Sequence, residues 1–531
     1  MRARLNDSPD ESATPNPPES GSERSDRTAA KRRRRRRIGG GITAGALALV
    51  LAGYAVVDAY DLVPGLPGFL TTDPPIEVQA VPTPQAQGAE VPAPTSAVND
   101  SAPVPTKIPE KIDAILKESE VKGFGLEVRD GLSDDVLYAK NETKPRTPAS
   151  VTKVLTAAAA LKSIGGQQRL ATTTSFDPQT KTVILNGGGD VLLSSGDSDP
   201  GSVNGHGGLR TLAEDTAQAL EDDNVTEVGL ALDTSRYTGE DFDSGWERSD
   251  IAKGVITPIQ PLMVDTGYIG SKDKQWRARS EHPAADALTA FEKELKKTGI
   301  TVTDAEDDGA ASAGDSANGT AADGTAADGT ATDGTAADGA STDNIEEVAR
   351  VESATISEIV EYALVHSDNV VAEMLGNEVA IAQGEDGSLE NGPRAVLSVL
   401  EDSIDLGRTE LIDTSGLSYD NRIAPHDLTT VLQASVDADD SLAGLISHFP
   451  VGGLTGTLTE RFVEERNATG VVHAKTGTLS TVTSLAGGVL DAEGRYLVFS
   501  IQIDDVDKDK ILDARKTVDD IVTALANCGC R

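Results

Sequence analysis

Two hairpin signatures stand at opposite ends of this chain, and together they limit what it can fold into. Residues 123–129 read Gly-Phe-Gly-Leu-Glu-Val-Arg, followed by a turn at Asp130-Gly131 and the run Val136-Leu-Tyr-Ala. Far downstream, residues 483–490, the turn Asp491-Ala-Glu-Gly494 and residues 496–503 repeat the pattern. A helix-like segment over 108–117 precedes the first hairpin, and an amphipathic helix over 508–525 follows the second. Helix then hairpin, mirrored by hairpin then helix, predicts an α+β fold in which one antiparallel sheet is built from both chain ends. The remainder is then inserted between them.

The N-terminal part has a different logic. Residues 1–37 lack apolar periodicity and end in Lys31 and six arginines, Arg32 to Arg37, which reads as a disordered basic tail. The uncharged stretch 38–57 follows, and its 20 residues are enough to cross a bilayer core of about 30 Å as one helix. With the arginines held in the cytoplasm, the expectation is an uncleaved single-pass anchor with everything after it outside the cell. A cleaved signal peptide is the rival reading, but no clear A-x-A site stands out. Residues 58–107 are rich in Pro and Ala, a semi-rigid spacer.

Charge narrows the partners. Residues 1–57 hold eleven basic and six acidic side chains, so with a formal charge of −39 overall the rest carries −44. A surface that acidic repels phosphate backbones, and no nucleic-acid partner is expected. Aromatics at 3% are scarce, and part of the chain has no means of burying a core. The clearest such part is 304–343, where Gly-Thr-Ala-Ala-Asp repeats from Gly319 to Asp338, a linker within an insertion expected over 166–345. The catalytic unit is then expected over 108–165 and 346–531. Cys528 and Cys530 are the whole cysteine complement, and their spacing argues against an unstrained bridge and for a thiol pair in the tail.

Three short motifs carry chemistry. Thr147-Pro148-Ala149-Ser150-Val151-Thr152-Lys153 opens an apolar helix, with Thr147 expected as its N-cap and Pro148 in its first position. Ser150 and Lys153, three apart, then share a face, and a lysine that has lost its proton can take the hydroxyl proton of an attacking serine. Ser367-Asp368-Asn369 lies between two apolar helical runs. Lys475-Thr476-Gly477-Thr478 precedes the C-terminal hairpin and is placed on a strand, where a lysine and two hydroxyls suit a carboxylate. Decoys are separated by context: Ser119-x-x-Lys122 sits at a charged helix end, and Gly299 of Lys297-Thr298-Gly299 reads as a helix C-cap.

With these motifs in this order, the chain resembles the penicillin-recognising serine enzymes, specifically the D-alanyl-D-alanine carboxypeptidase/endopeptidase family called penicillin-binding protein 4 or peptidase family S13. Leu185-Asn-Gly-Gly-Gly-Asp190 and Asp413-Thr-Ser-Gly-Leu-Ser418-Tyr-Asp-Asn-Arg422 extend the match across about 108–526, the linker excepted. Val191 stands where the family usually has proline and Thr414 where it usually has glycine. The resemblance implies a β-lactamase/transpeptidase-like domain acting on peptidoglycan peptides that end in D-Ala-D-Ala, with β-lactams as inhibitors and no cofactor or metal. It makes Ser150 the nucleophile, Lys153 its base and Ser367 the proton relay, with Asn369, Lys475, Thr476 and Thr478 holding substrate. Backbone N–H groups of Ser150 and Thr478 would form the oxyanion hole.

Other chemistries find less support. The six histidines show no H-E-x-x-H pattern, and Gly187 to Gly189 lacks the spacing of a nucleotide loop. A β-lactamase would share all three motifs, yet no E-x-x-L-N stretch lies between Asn369 and Lys475. An esterase on the same fold and a non-catalytic cell-wall-binding protein are the remaining alternatives, the latter having no need of Ser150 and Lys153 together.

Overall fold

The computed structural model describes residues 105–119, 121–270, 277–303, 345–436 and 442–529. The expected tail, anchor and spacer (1–104 for the most part) and the repeat linker lie outside the described residues. Among those described, no helix is long and apolar enough to cross a membrane. In chain order the elements are α1 (Ile108–Glu118), β1 (Phe124–Asp130), β2 (Val136–Lys140), α2 (Lys153–Ala160), β3 (Arg169–Asp177), β4 (Thr182–Asn186), α3 (Leu209–Asp222), β5 (Glu227–Asp233), α4 (Pro283–Lys297) and β6 (Thr301–Val302). They continue with β7 (Glu346–Thr355), α5 (Ile356–His366), α6 (Asn369–Ala382), α7 (Asn391–Glu401), α8 (Pro425–Ala434), β8 (Val472–Leu479), β9 (Val482–Leu490), β10 (Tyr496–Ile503) and α9 (Ile511–Ala526).

The first sheet has the order β2-β1-β10-β9-β8, so the two terminal hairpins meet as expected. β1 and β10 join the chain ends in antiparallel register, from Phe124 opposite Ile503 to Asp130 opposite Leu497. Its two faces carry different cores. Leu485, Val489, Leu497 and Phe499 pack with Ile108 and Ile112 of α1 and Val518, Ile521 and Val522 of α9. Ala486 and Val498 point to the other side, into a cluster with Val154, Leu155 and Leu375. Period-two alternation in the strands therefore feeds two helical layers, which explains why β9 and β10 are buried almost throughout.

Inside the second layer α2 is buried at all eight positions. Its run Ala157 to Ala160 offers so little side-chain bulk that α5, α6 and α7 close in around it. Full burial fixes the one polar end of this helix, Lys153, in a place water barely reaches.

The insertion forms its own sheet, β6-β5-β4-β3-β7, with β4, β5 and β6 parallel and β3 antiparallel to both β4 and β7. Helices α3 and α4 cover it through Leu209, Leu212, Phe291 and Leu295. Two boundaries differ from expectation. β7, assigned by sequence to the catalytic unit from residue 346, pairs with β3, because its Glu346 to Thr355 register satisfies the open edge of that strand. Conversely Phe242, Trp246, Ile251, Ile256 and Ile259, from within the expected insertion, are part of the catalytic cluster around α2. A third difference concerns Cys528, expected as a free thiol, which is disulfide-bonded and fully buried. Just past α9 the Gly529 N–H donates to the Asn527 carbonyl at 3.1 Å.

The strand that precedes the linker and the strand that follows it end on the same side of the sheet, since Thr303 N–H bonds the Val228 carbonyl and Glu346 lies opposite Phe176. Four strand spacings separate them, about 19 Å. Deleting Gly319 to Asp338 would leave a connection able to reach roughly 70 Å, at about 3.3 Å per residue. That deletion is expected to leave the melting temperature and the rate of β-lactam labelling unchanged; a thermal scan and a labelling time course check it.

Candidate active site

The first motif opens on a strained residue. Ala149 has φ +53°, an uncommon value for a side chain with a Cβ, and begins a single 3-10 turn, Ala149–Thr152, that leads into α2. Thr147 does not cap it, contrary to expectation. The tight turn takes Pro148 as its capping position, and the Thr147 hydroxyl instead donates to the Tyr419 carbonyl at 3.1 Å. The serine and lysine still meet: Lys153 Nζ lies 3.1 Å from Ser150 Oγ.

The second motif is the hinge between two helices, and each of its residues has a backbone task. Ser367 ends α5 in the left-handed region, with φ 55° and ψ 36°. Asp368 caps α6 by accepting the Val371 N–H at 3.2 Å, and Asn369 is the first residue of that helix. The reversal aims the two flanking side chains at two different lysines. Asn369 Oδ1 accepts from Lys153 Nζ at 2.7 Å, and its amide nitrogen donates to the Val255 carbonyl at 3.1 Å. Ser367 Oγ accepts from Lys475 Nζ at 2.8 Å.

The third motif lies on β8, the edge strand of the first sheet, as expected. Lys475 is fully buried and also donates to the Thr476 carbonyl at 2.8 Å. The Thr476 hydroxyl reaches Thr457 Oγ1 at 2.9 Å, while Thr478 is exposed. Gly477 is what lets the strand approach the turn that carries Ser150. A Cβ there would fall 2.0 Å from Ser484 Oγ and 2.7 Å from the Pro148 carbonyl, so any side chain would push β8 away from Ser150.

Ser150 lies in the 3-10 turn rather than on the helix that Lys153 begins, and hydrogen bonds join Ser150, Lys153 and Asn369 in one cluster and Ser367, Lys475 and Thr476 in another. Several participants escaped the sequence. The Ser415 carbonyl accepts from Lys153 Nζ at 2.6 Å. Its loop is held by buried Glu373, which accepts the backbone N–H of Ser415 at 2.8 Å and the Thr414 hydroxyl at 2.8 Å. Thr414 fits because it faces Gly376, where a Cβ would sit 2.6 Å from the Thr414 methyl. Arg279 forms a buried ion pair with Asp368 at 2.9 Å. Asp413-Thr-Ser-Gly marked the loop in the sequence, but nothing there told which atom faces Lys153. His366, next to the second motif, packs its ring on Tyr362 with centroids 4.5 Å apart.

Burial dominates the electrostatics. It lowers Lys153 from 10.5 to about 8, against the opposing charges of Asp413, Glu373 and Asp368. A shift of that size is worth roughly 3 kcal/mol, and at pH 7 it raises the neutral fraction from roughly 1 in 3,000 to roughly 1 in 10. Lys475 is driven well below its ordinary range by burial and then by the charge of Lys153. Glu373 is pushed up to about 8 by burial and by Asp413. Burial also pushes Asp368 upward, but the charge and hydrogen bond of Arg279 outweigh it and hold the carboxyl below its usual value. The arrangement is an alcohol beside an amine that burial makes easier to deprotonate, with a second buried amine held by Ser367 and the Thr476 carbonyl. Among the described residues no cluster of His, Cys, Asp or Glu could hold a metal ion.

Comparison with known proteins agrees with this chemistry. The family described as D-Ala-D-Ala carboxypeptidase 3 (S13) matches residues 108–275 and 307–525. A carboxypeptidase of Mycobacterium tuberculosis is 30% identical over 458 residues, covering 85% of this chain and 90% of its own length. A D-alanyl-D-alanine carboxypeptidase of Actinomadura is 30% identical over 445 residues, covering 75% of this chain and 80% of its own. Among solved structures, penicillin-binding protein 4 of Haemophilus influenzae shares the fold, with a TM-score of 0.59 at 19% identity over 78% of this chain and 98% of that one. With its three motifs assembled and the family matched over residues 108–275 and 307–525, this chain belongs to the D-Ala-D-Ala carboxypeptidase 3 (S13) family.

Proposed function

We propose that this protein is a serine D-alanyl-D-alanine carboxypeptidase that acts on peptidoglycan stem peptides through an acyl-enzyme on Ser150, and that β-lactams acylate the same oxygen. The single observation that carries this reading is the buried Lys153 amine, bonded at once to Ser150 and Asn369. Neutral Lys153 takes the hydroxyl proton as Ser150 Oγ attacks the carbonyl of the penultimate D-alanine. The negative charge that develops on the carbonyl oxygen is received by the backbone N–H groups of Ser150 and Thr478. As the C–N bond breaks, the proton taken up by Lys153 is passed on through Ser367 to the departing amine, and the terminal D-alanine leaves. Water then attacks the ester, the shortened peptide departs as a carboxylate, and Ser150 regains its proton.

Lys475, Thr476 and Thr478 hold the free carboxylate of the substrate in this reading, and Asn369 the peptide amide. A bound carboxylate restores the charge of Lys475 that burial has suppressed, so binding and protonation are coupled there. The same acyl step opens a D-alanyl cross-link when the leaving amine belongs to a second stem peptide, which makes endopeptidase activity part of the proposal. An esterase or β-lactamase would share the acylation but not the release of D-alanine. For location, we propose the membrane surface outside the cell, supported by the arginine run and the apolar stretch 38–57.

Labelling with a fluorescent penicillin and assays of released D-alanine from a stem pentapeptide test the assignment. Ser150→Ala is expected to abolish both, whereas label persisting on another peptide in that variant would sink it. The second-order rate of acylation should rise with pH to a plateau above about 8, because the free enzyme must lose the Lys153 proton first. Lys475→Ala should slow acylation by carboxylate-bearing substrates about tenfold to a hundredfold, the equivalent of one charge-assisted hydrogen bond. A simple thioester lacking the carboxylate should be nearly unaffected, and parallel kinetics on the two substrates decide the point.

A further inference from the structure

The S-D-N turn is gripped from outside the catalytic helices. Arg279, from the part of the insertion that returns to the catalytic core, has a side chain only 2% exposed. Its guanidinium donates to the Gly254 carbonyl at 3.0 Å, to the Thr266 carbonyl, to Tyr268 Oη at 3.1 Å and to Asp368 Oδ2 at 2.9 Å, and its plane lies 4.0 Å from the centre of the Tyr268 ring. The neighbouring carbonyl, Val255, holds the Asn369 side chain. Gly254 permits the close approach: it has φ +76°, and a Cβ on it would lie 2.2 Å from the Arg277 carbonyl. One short stretch of the insertion therefore fixes both Asp368 and Asn369.

Asp368 has two jobs that conflict unless it is paired. Its carboxylate caps α6, and so sets where Ser367 and Asn369 point. It is also one of three carboxyl groups that face Lys153, with Asp413 from the loop and Glu373 from α6. The charge of this amine in turn acts on Lys475 of β8. Asp368 itself is faced by Arg279, by Tyr362 of α5 and by Lys153. An unpaired carboxylate in this buried place would favour the protonated amine and oppose the base.

We propose that Arg279 is a positioning residue for the acylation reaction, locking Asp368 so that Ser367 stays on Lys475 and Asn369 on Lys153, while screening Lys153 from the Asp368 carboxylate. The insertion is then a working part of the site rather than an appendage. The inference rests on Ser150 being acylated with Lys153 as its base. Failure of that reading would appear in the wild-type protein itself, whereas the present test compares variants with an active wild type.

The test is the pH dependence of the second-order acylation rate, measured with a penicillin. Arg279→Gln should move the acidic limb of the profile up by about one unit, the effect of exposing an amine to one nearby carboxylate, and slow acylation at pH 7 at least tenfold. Asp368→Asn keeps a capping side chain but leaves Arg279 positive, and should move the limb the opposite way. The double variant removes both charges and should return the limb to the wild-type position with most of the rate. If Arg279→Gln does not fold, the Asp368→Asn and double variants give the same comparison. Arg279→Lys, which keeps the charge without the fork, should hold the limb in place at a reduced rate. A loss equal at every pH with the limb unmoved, or a double variant no faster than Arg279→Gln, would overturn the proposal and reduce the pair to a structural prop.

Discussion

The amine of Lys153 is taken out of water and given three acceptors, Ser150 Oγ, Asn369 Oδ1 and the Ser415 carbonyl, from three separate parts of the chain. Withdrawing an ammonium group from water costs several kcal/mol, so the position is tenable only where such acceptors are fixed in advance or the proton is given up. The acceptors are fixed here, and burial makes the proton easier to give up. The small side chains of α2 let α6 approach closely enough to present Asn369, and the same packing excludes the water that would otherwise keep the amine charged. Packing density and base strength are thus one property of this fold.

The carboxyl groups around the site are arranged to support the backbone more than to neutralise the lysine. Glu373 spends its oxygens on the N–H groups and hydroxyl of residues 414 and 415. Asp413 accepts from Gly416, Ser418, Asn421 and the Trp246 indole. Each bond fixes a loop whose hydrogen bond with Lys153 is made through a carbonyl oxygen. A neutral dipole holds an amine in place without forcing it to stay protonated, which a carboxylate in the same position would do.

Close approach of the edge strand completes the site. Ser484 donates to the Pro148 carbonyl at 2.5 Å, tying the sheet to the nucleophile turn across the space that Gly477 leaves open. The segments that carry Ser150 and Lys475 are therefore held together by contacts to the backbone. The strained Ala149 lies at this same junction, where Gly416 also yields room: a Cβ on that glycine would come within 2.0 Å of the Ala149 carbonyl.

Much of this was legible in the sequence because it is local. Period-two alternation and Asp-Gly or Asp-x-x-Gly turns marked both terminal hairpins, and the apolar runs beside Ser150 and Ser367 marked helices, since neighbouring residues alone determine such patterns. Motif order and context likewise separated Lys475-Thr476-Gly477 from the helix end at Lys297. What the sequence did not contain is whatever depends on residues far apart meeting. β7 joined the inserted sheet because β3 left an edge open to it, and nothing within its ten residues distinguishes that partner from another. Thr147 lost its capping task because the 3-10 turn takes Pro148 as its capping position and the Thr147 hydroxyl bonds the distant Tyr419 carbonyl. Arg279 looks like any surface arginine until the fold buries it against Asp368, 89 positions away. Three local motifs and the family resemblance they carry pointed to the side chains of the proposed chemistry; only the tertiary structure decided their pKa values and their aim, because both follow from burial and from dipoles supplied by distant segments of the chain.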